Sequence, residues 1–272
     1  MLLSAFFLFI SLLISEEMGL REDVLNDMAF QQVWTYLENK DISKEYVLNA
    51  FQNTAVKTHP KIIDSFNNPY EKKGWEQYRK IFITEKRIKG GIDFYFNNKR
   101  LIEQVSDSLN VDQYLLVSLV GVESNYGKYY GQYSVFNALY TLIHQLPRKK
   151  KWAAKELSEF IILCYGNNID PHSIKGSYAG AFGFGQFIPS SFNYYAIDFD
   201  GDNIRHHDKW PDVLGSIANY LLKNGYKPGV NDYSKSSNAW KSVFAYNRSN
   251  NYVGVIMELR QEIKKGVMNN GL

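Results

Sequence analysis

The chain has 272 residues, 45% hydrophobic and 22% charged, a balance that excludes wholesale disorder and leaves ample material for one two-lobed domain or two small ones. Against 28 Asp and Glu stand 31 Lys and Arg, so the net charge is only +3; with no long basic stripe, nucleic acid is a poor partner. Aromatic residues reach 15%, which supplies faces for sugar rings but equally well fills a core. The single cysteine, Cys164, rules out an intramolecular disulfide and a multi-thiolate zinc site. Within Phe160-Ile-Ile-Leu-Cys-Tyr165 it reads as a small core residue.

The first fifteen residues carry no charge, 12 being apolar and 3 Ser. That is short of the roughly 20 apolar residues a spanning helix needs and suits the core of an export signal over residues 1–18. No Lys or Arg precedes the run and no clear cleavage site follows it, so an uncleaved anchor is the alternative. The protein is expected to be exported, soluble or membrane-associated through this segment. Residues 19–107 read as a helical lobe. Val24, Met28, Val33, Trp34 and Leu37, then Val47, Leu48 and Phe51, recur at helical spacing. Asn67-Asn-Pro-Tyr70 breaks the pattern, and a second stretch from about Trp75 to Asp107 is predicted to break again at Gly90-Gly91.

Residues 108–272 form the second expected division. Tyr114, Leu115, Val117, Leu119 and Val120 predict a buried helix that stops at Gly127 in a left-handed conformation. A helix follows over about Lys151–Tyr165. Four glycines between Gly176 and Gly185 then demand tight turns or close backbone approach. Helical spacing returns at Val213, Leu214, Ile217, Ala218 and Leu221, ending at Gly225; Lys227–Asn238 is polar loop, and a last helix covers about Val253–Ile263. With no strand-rich block and no repeat, the fold class is mainly α.

Glu123 is the carboxylate that stands out. It lies seven, four and three residues after Leu116, Leu119 and Val120, on their apolar face and in the last helical turn. Desolvation and the helix dipole both disfavour its ionised form there, as a general acid requires. A Glu capped by local amides is the alternative. A second cluster, Asp198-Phe-Asp-Gly-Asp202 with Asp212 downstream, places carboxylates at alternate positions of a turning loop, as a hard cation demands. It departs from an EF-hand loop in having Asn203 for the sixth-position Gly and Lys209 for the twelfth-position Glu. The alternative is an acidic turn with Asp212 capping the next helix. His206 and His207, being adjacent, point apart and read as loop surface.

Gly121-Val-Glu-Ser-Asn-Tyr-Gly127, the run Gly176 to Ser191, Tyr195-Ala-Ile-Asp-Phe-Asp-Gly-Asp202 and Asp212 to Tyr220 together resemble the lytic murein transglycosylase B family in motif, order and spacing. The resemblance covers about Trp75–Tyr252. It implies a goose-lysozyme-like helical core, with an N-terminal helical lobe and an EF-hand-like loop, that cleaves the MurNAc–GlcNAc bond of peptidoglycan glycan strands and leaves 1,6-anhydromuramyl ends. Matched to the family, Glu123 is the single catalytic acid/base, and Ser177 and Gln186 line the cleft. Tyr246 and Asn247 match a Tyr-Asn pair facing the same bond, and Tyr220 and Tyr252 match aromatic walls. Phe187, with Phe182 and Phe184, either shapes those walls or fills core. Arg148-Lys149 falls where the family has Arg-Arg near the stem peptide; Lys lacks the planar bidentate donor. The family's acidic loop is a lengthened one closed by a later Asp, which implies Ca²⁺ ligation by Asp198, Asp200, Asp202, the Ile204 carbonyl and Asp212. Only 25 residues separate Tyr220 from Tyr246, so the β-rich lobe often inserted there is reduced or absent. A hydrolytic muramidase and a non-catalytic peptidoglycan-binding protein are the rival functions.

Overall fold

The computed structural model describes residues 21–68, 72–229 and 231–270, so the expected export segment 1–18 lies outside the described residues. The helices in chain order are α1 (Met28–Leu37), α2 (Lys44–Gln52), α3 (Lys61–Asn67), α4 (Trp75–Phe82), α5 (Glu85–Asn97), α6 (Lys99–Leu109) and α7 (Gln113–Ser124). They continue as α8 (Val135–Gln145), α9 (Lys150–Gly166), α10 (Pro189–Tyr195), α11 (Trp210–Lys223), α12 (Asn238–Tyr246) and α13 (Asn250–Asn270). The sheet is one antiparallel pair of two-residue strands, β1 (Tyr133–Ser134) and β2 (Lys175–Gly176), in register Tyr133 to Gly176. The expected mainly α class holds, and no strand lies among the described residues between Tyr220 and Tyr246. Among the described residues no helix is long and apolar enough to cross a membrane.

The chain forms two compact units, each built from two separate stretches: residues up to 65 with 133–180, and 66–132 with 181 onward. The sequence-based division at residue 107 does not coincide with this partition. In the first unit, α1 packs on α8 and α9. Phe30 meets Phe51 edge-on at 5.5 Å, Phe51 meets Phe136 at 5.0 Å, and Leu139, Leu142, Leu157 and Phe160 are buried. Cys164 is buried in that core as expected, and burial pushes its thiol up to about 12. Buried Asn137 fixes the segment after α2, donating to the Ala55 carbonyl at 2.8 Å and accepting from the Lys57 amide at 3.2 Å.

In the second unit α13 packs against α7, α5 and α4, and α11 packs against α6 and α12. The last helix is longer than expected at both ends: Asn250 and Asn251 precede the buried stripe Tyr252, Val255, Ile256, Leu259 and Ile263, and buried Val267 carries it one turn further. Gly90-Gly91 does not break α5. A Cβ on Gly91 would lie 2.5 Å from Ile263 Cδ1 and 2.6 Å from the Tyr126 hydroxyl, so these glycines let two elements approach the helix. The Tyr126 ring also lies under Gly121, where a Cβ would come within 2.7 Å, and its hydroxyl donates to the Arg87 carbonyl at 2.8 Å.

Candidate active site

Helix α7 starts on Asp112, whose side chain accepts from the Leu115 amide at 2.7 Å. The same carboxylate takes both arms of Arg260 from α13, at 2.9 and 2.7 Å. Eleven residues on from Asp112, at the other end of α7, Glu123 accepts a short hydrogen bond from the hydroxyl of Tyr252, in the first turn of α13. The two helices are therefore antiparallel and clamped at both ends, once by a charged fork and once through Glu123. Leu116, Leu119 and Val120 are fully buried, whereas Glu123 at the end of their stripe is partly open to solvent. The expected apolar face is buried, and the helix end carries Glu123 itself to a partly exposed position.

The helix stops at Ser124, ahead of the expected Gly127. Asn125, Tyr126 and Gly127 are all left-handed, with φ of 50°, 61° and 78°. Ser124 makes that turn possible, since its hydroxyl donates to Val120 at 3.1 Å and accepts from the Gly127 amide at 3.0 Å. Gly127 is needed for space as well, because a Cβ there would lie 2.9 Å from Trp210.

Around Glu123 the expected tyrosines assemble. Tyr252 is 2% exposed; burial first, and then the Glu123 charge, hold its hydroxyl well above the ordinary tyrosine value, so it stays a donor. Tyr246 is raised in the same way and by the same causes, and its hydroxyl donates to the Gly185 carbonyl at 2.5 Å. Tyr220 meets Tyr246 edge-on at 4.7 Å and Phe187 at a tilt at 5.8 Å, and donates to the Ala245 carbonyl at 2.8 Å. Burial pushes the Tyr220 hydroxyl up to about 12. Phe187 is buried and lies 5.4 Å from Tyr246, so it supports the tyrosine wall from behind. Asn247 ends α12 in an extended conformation.

Gln186 sits in the glycine-rich loop at φ 51°, a left-handed backbone for a residue with a side chain. Its amide group donates to the Gly183 carbonyl at 2.8 Å and to the Tyr130 carbonyl at 3.1 Å. The second unit thus holds Glu123, Gln186, Phe187, Tyr220, Tyr246, Asn247 and Tyr252. Ser177, Arg148 and Lys149 belong to the first unit. Ser177 opens a turn in which its hydroxyl accepts from Ala179 at 3.3 Å, and Lys149, in a single 3₁₀ turn over Pro147–Lys149, lies 4.9 Å above the Trp152 ring.

In the acidic loop, carboxylate oxygens of Asp198, Asp200 and Asp212 all lie within 4.8 Å of one another. Asp202 does not join them. Its Oδ2 faces His206 at 3.1 Å and Lys209 at 3.6 Å, and its Oδ1 accepts from the Ile204 amide at 2.9 Å. That amide, with His206 and Lys209, lowers the Asp202 pKa. Ile204 is 48% exposed. Asp212 is fully buried and does not cap its own helix; it accepts from Phe199 at 2.8 Å and from His206 at 2.7 Å, tying both limbs of the loop to α11. Three converging carboxylates match the oxygen set of a hard cation, so the loop fits Ca²⁺ with Asp202 turned aside. The histidines are not mere loop surface. His206 pairs with Asp202, and the half-buried His207 ring meets Phe182 edge-on at 5.5 Å. The adjacency of two polar rings concealed this, because burial of the second depends on a loop distant in sequence.

Residues 26–235 match the model of the transglycosylase SLT domain family. The chain is 36% identical over 157 residues to the membrane-bound lytic murein transglycosylase B of Escherichia coli, a match that spans 57% of this chain and 43% of that relative. It superposes on the soluble lytic transglycosylase SltB1 of Pseudomonas aeruginosa with a TM-score of 0.79 at 28% identity, covering 88% of this chain and 99% of the other. A structure of the Escherichia coli lytic transglycosylase SLT35 in complex with calcium shares the fold, with a TM-score of 0.80 at 22% identity over 89% and 94% of the two chains. With the matched region running through α7, the glycine-rich loop and α11, the chain belongs to the transglycosylase SLT domain family.

Proposed function

We propose that this protein is a peptidoglycan lytic transglycosylase with Glu123 as its one general acid and base. The observation that carries the reading is the bond from the Tyr252 hydroxyl to a partly exposed Glu123 at the end of a buried helix. Tyr252 donates to one carboxyl oxygen and fixes the orientation of the carboxyl group. A single carboxyl cannot run the usual two-carboxylate hydrolysis. Glu123 protonates the bridging oxygen between MurNAc and GlcNAc, the C1–O bond breaks, and the substrate's N-acetyl group stabilises C1. The C6 hydroxyl of the same MurNAc then attacks C1 and returns its proton to Glu123, which regenerates the acid. Intramolecular attack carries a high effective concentration and outruns water in a screened site. Gln186 and Asn247 hold the N-acetyl and hydroxyl groups, and Tyr220 and Tyr246 wall the sugar.

The relative's name places it at the membrane; here residues 1–18 export the protein to the periplasm, where the murein lies, and can tether it. Ca²⁺ is a structural ligand of the loop, held by Asp198, Asp200 and Asp212, with Asp202 and the Ile204 carbonyl completing the set once Asp202 releases His206. Mass spectrometry of fragments released from purified sacculi tests the activity. Anhydromuramyl ends, one water lighter than hydrolysed ends, are expected; reducible MurNAc ends as the main product would make the protein a muramidase.

A further inference from the structure

We propose that His207 is a positioning residue that holds the Gly183–Gln186 loop, and through it Gln186, in the conformation the active site uses. The inference rests on the role given to Gln186 above. His207 lies more than twenty residues from Gln186 in the sequence, yet it holds the loop twice through its backbone carbonyl and once through its ring, the one contact that a side-chain substitution removes. Its carbonyl accepts from the Phe184 amide at 2.9 Å. Its ring packs edge-on against Phe182 at 5.5 Å. Its backbone presses on Gly183 so closely that a Cβ at that glycine would lie 2.3 Å from the His207 oxygen.

Gly183, together with the Tyr130 carbonyl at 3.1 Å, also holds Gln186. The Gly183 carbonyl accepts from the Gln186 backbone amide at 3.2 Å and from the side-chain amide at 2.8 Å. The loop is closed on itself by the Phe182 amide donating to the Phe187 carbonyl at 3.0 Å. Gly183 at φ 70° and Gln186 at φ 51° are both left-handed, and for Gln186 that conformation is costly without outside support. His207 supplies the support from a firm base. Next to it the His206 amide is bound to buried Asp212, and Arg205 donates to the Asn193 carbonyl at 3.1 Å. Nδ1 of His207 is buried without a hydrogen bond, 4.0 Å from the Asp208 carboxylate, so what the ring offers the loop is its flat face against Phe182, which another flat ring can replace.

A double-mutant cycle on sacculus digestion tests this. Gln186→Ala and His207→Ala should each slow turnover at least tenfold, and the double variant should be within about twofold of Gln186→Ala alone, because the His207 ring acts only through the position of Gln186. His207→Phe should restore the wild-type rate. Multiplying losses in the double variant, or a fully active Gln186→Ala, would overturn the proposal. Should His207→Ala not fold, His207→Leu enters the same cycle and is read the same way. The second measurement needs no activity: the side-chain amide NMR signals of Gln186, assigned by their loss in Gln186→Ala, should shift in His207→Ala and return in His207→Phe. Unchanged signals would overturn the positioning role even if the enzyme digests murein, and shifted signals in a protein inert on murein would leave it standing while the transglycosylase reading fell.

Discussion

Tyr252 and Glu123 form the smallest unit from which activity can be argued. A hydroxyl held well above the ordinary tyrosine value stays protonated across the neutral range and keeps donating to the carboxyl. Glu123→Gln should fold and bind murein while turnover falls by about 10²–10⁴-fold, since an amide cannot deliver a proton. Tyr252→Phe keeps the ring and loses only the donor, and should cost about tenfold, the scale of one hydrogen bond to an ionisable group. Turbidity loss of sacculi between pH 5 and 8 reads both. Near-normal turnover of Glu123→Gln would remove Glu123 from the chemistry. The identity of Glu123 was legible from its place on the apolar stripe and from its motif. Its partner was not legible: the resemblance marks Tyr252 only as an aromatic wall, and the bond joins residues 129 apart in the sequence.

Two elements deserve separate tests. The antiparallel pair α7 and α13 is held at one end by Arg260 and Asp112, whose side chains are 10% and 14% exposed. Removing one partner leaves an uncompensated buried charge, so Arg260→Met should destabilise the fold by about 3 kcal/mol, measured by urea unfolding. An unchanged midpoint would show that the clamp contributes nothing. The acidic loop gives the second test. If Asp198, Asp200 and Asp212 ligate Ca²⁺, millimolar calcium should raise the melting temperature relative to chelator by mass action. Asp200→Asn should abolish that rise, and Asp202→Asn should reduce it less, because Asp202 stands outside the cluster. A melting temperature indifferent to calcium in the wild type would leave the loop as an acidic turn tied down by Asp212.

At the scale of the whole molecule, each compact unit draws on two distant stretches of chain. Phe30 and Phe51 of the first stretch pack with Phe136 of the second, and α1 lies against α9. A fragment of residues 21–107 would expose those rings and lose their burial, each side chain being worth about 1.5–3 kcal/mol. It should therefore lack a cooperative thermal transition by circular dichroism. A fragment that melts cooperatively would show that this stretch is a domain in its own right, as the sequence-based division at residue 107 supposes.

Local signals in the sequence determined many of the helices and their buried faces, though not α8, α10 or α12, together with the core role of Cys164, the position of Glu123 and the acidic loop. Each is written in periodicity or spacing over fewer than about twenty residues, where the backbone geometry alone relates sequence to space. Tertiary structure alone decided the rest. It showed that Gly90-Gly91 admits Tyr126 and Ile263 to α5 without breaking it, and that Asp202 turns to His206 and Lys209 while Asp212 binds Phe199 and His206. It also placed His207 under the Gln186 loop. In each of these cases the conformation is set by a partner far along the chain, and a glycine, a carboxylate or an imidazole carries no mark of which distant group will meet it.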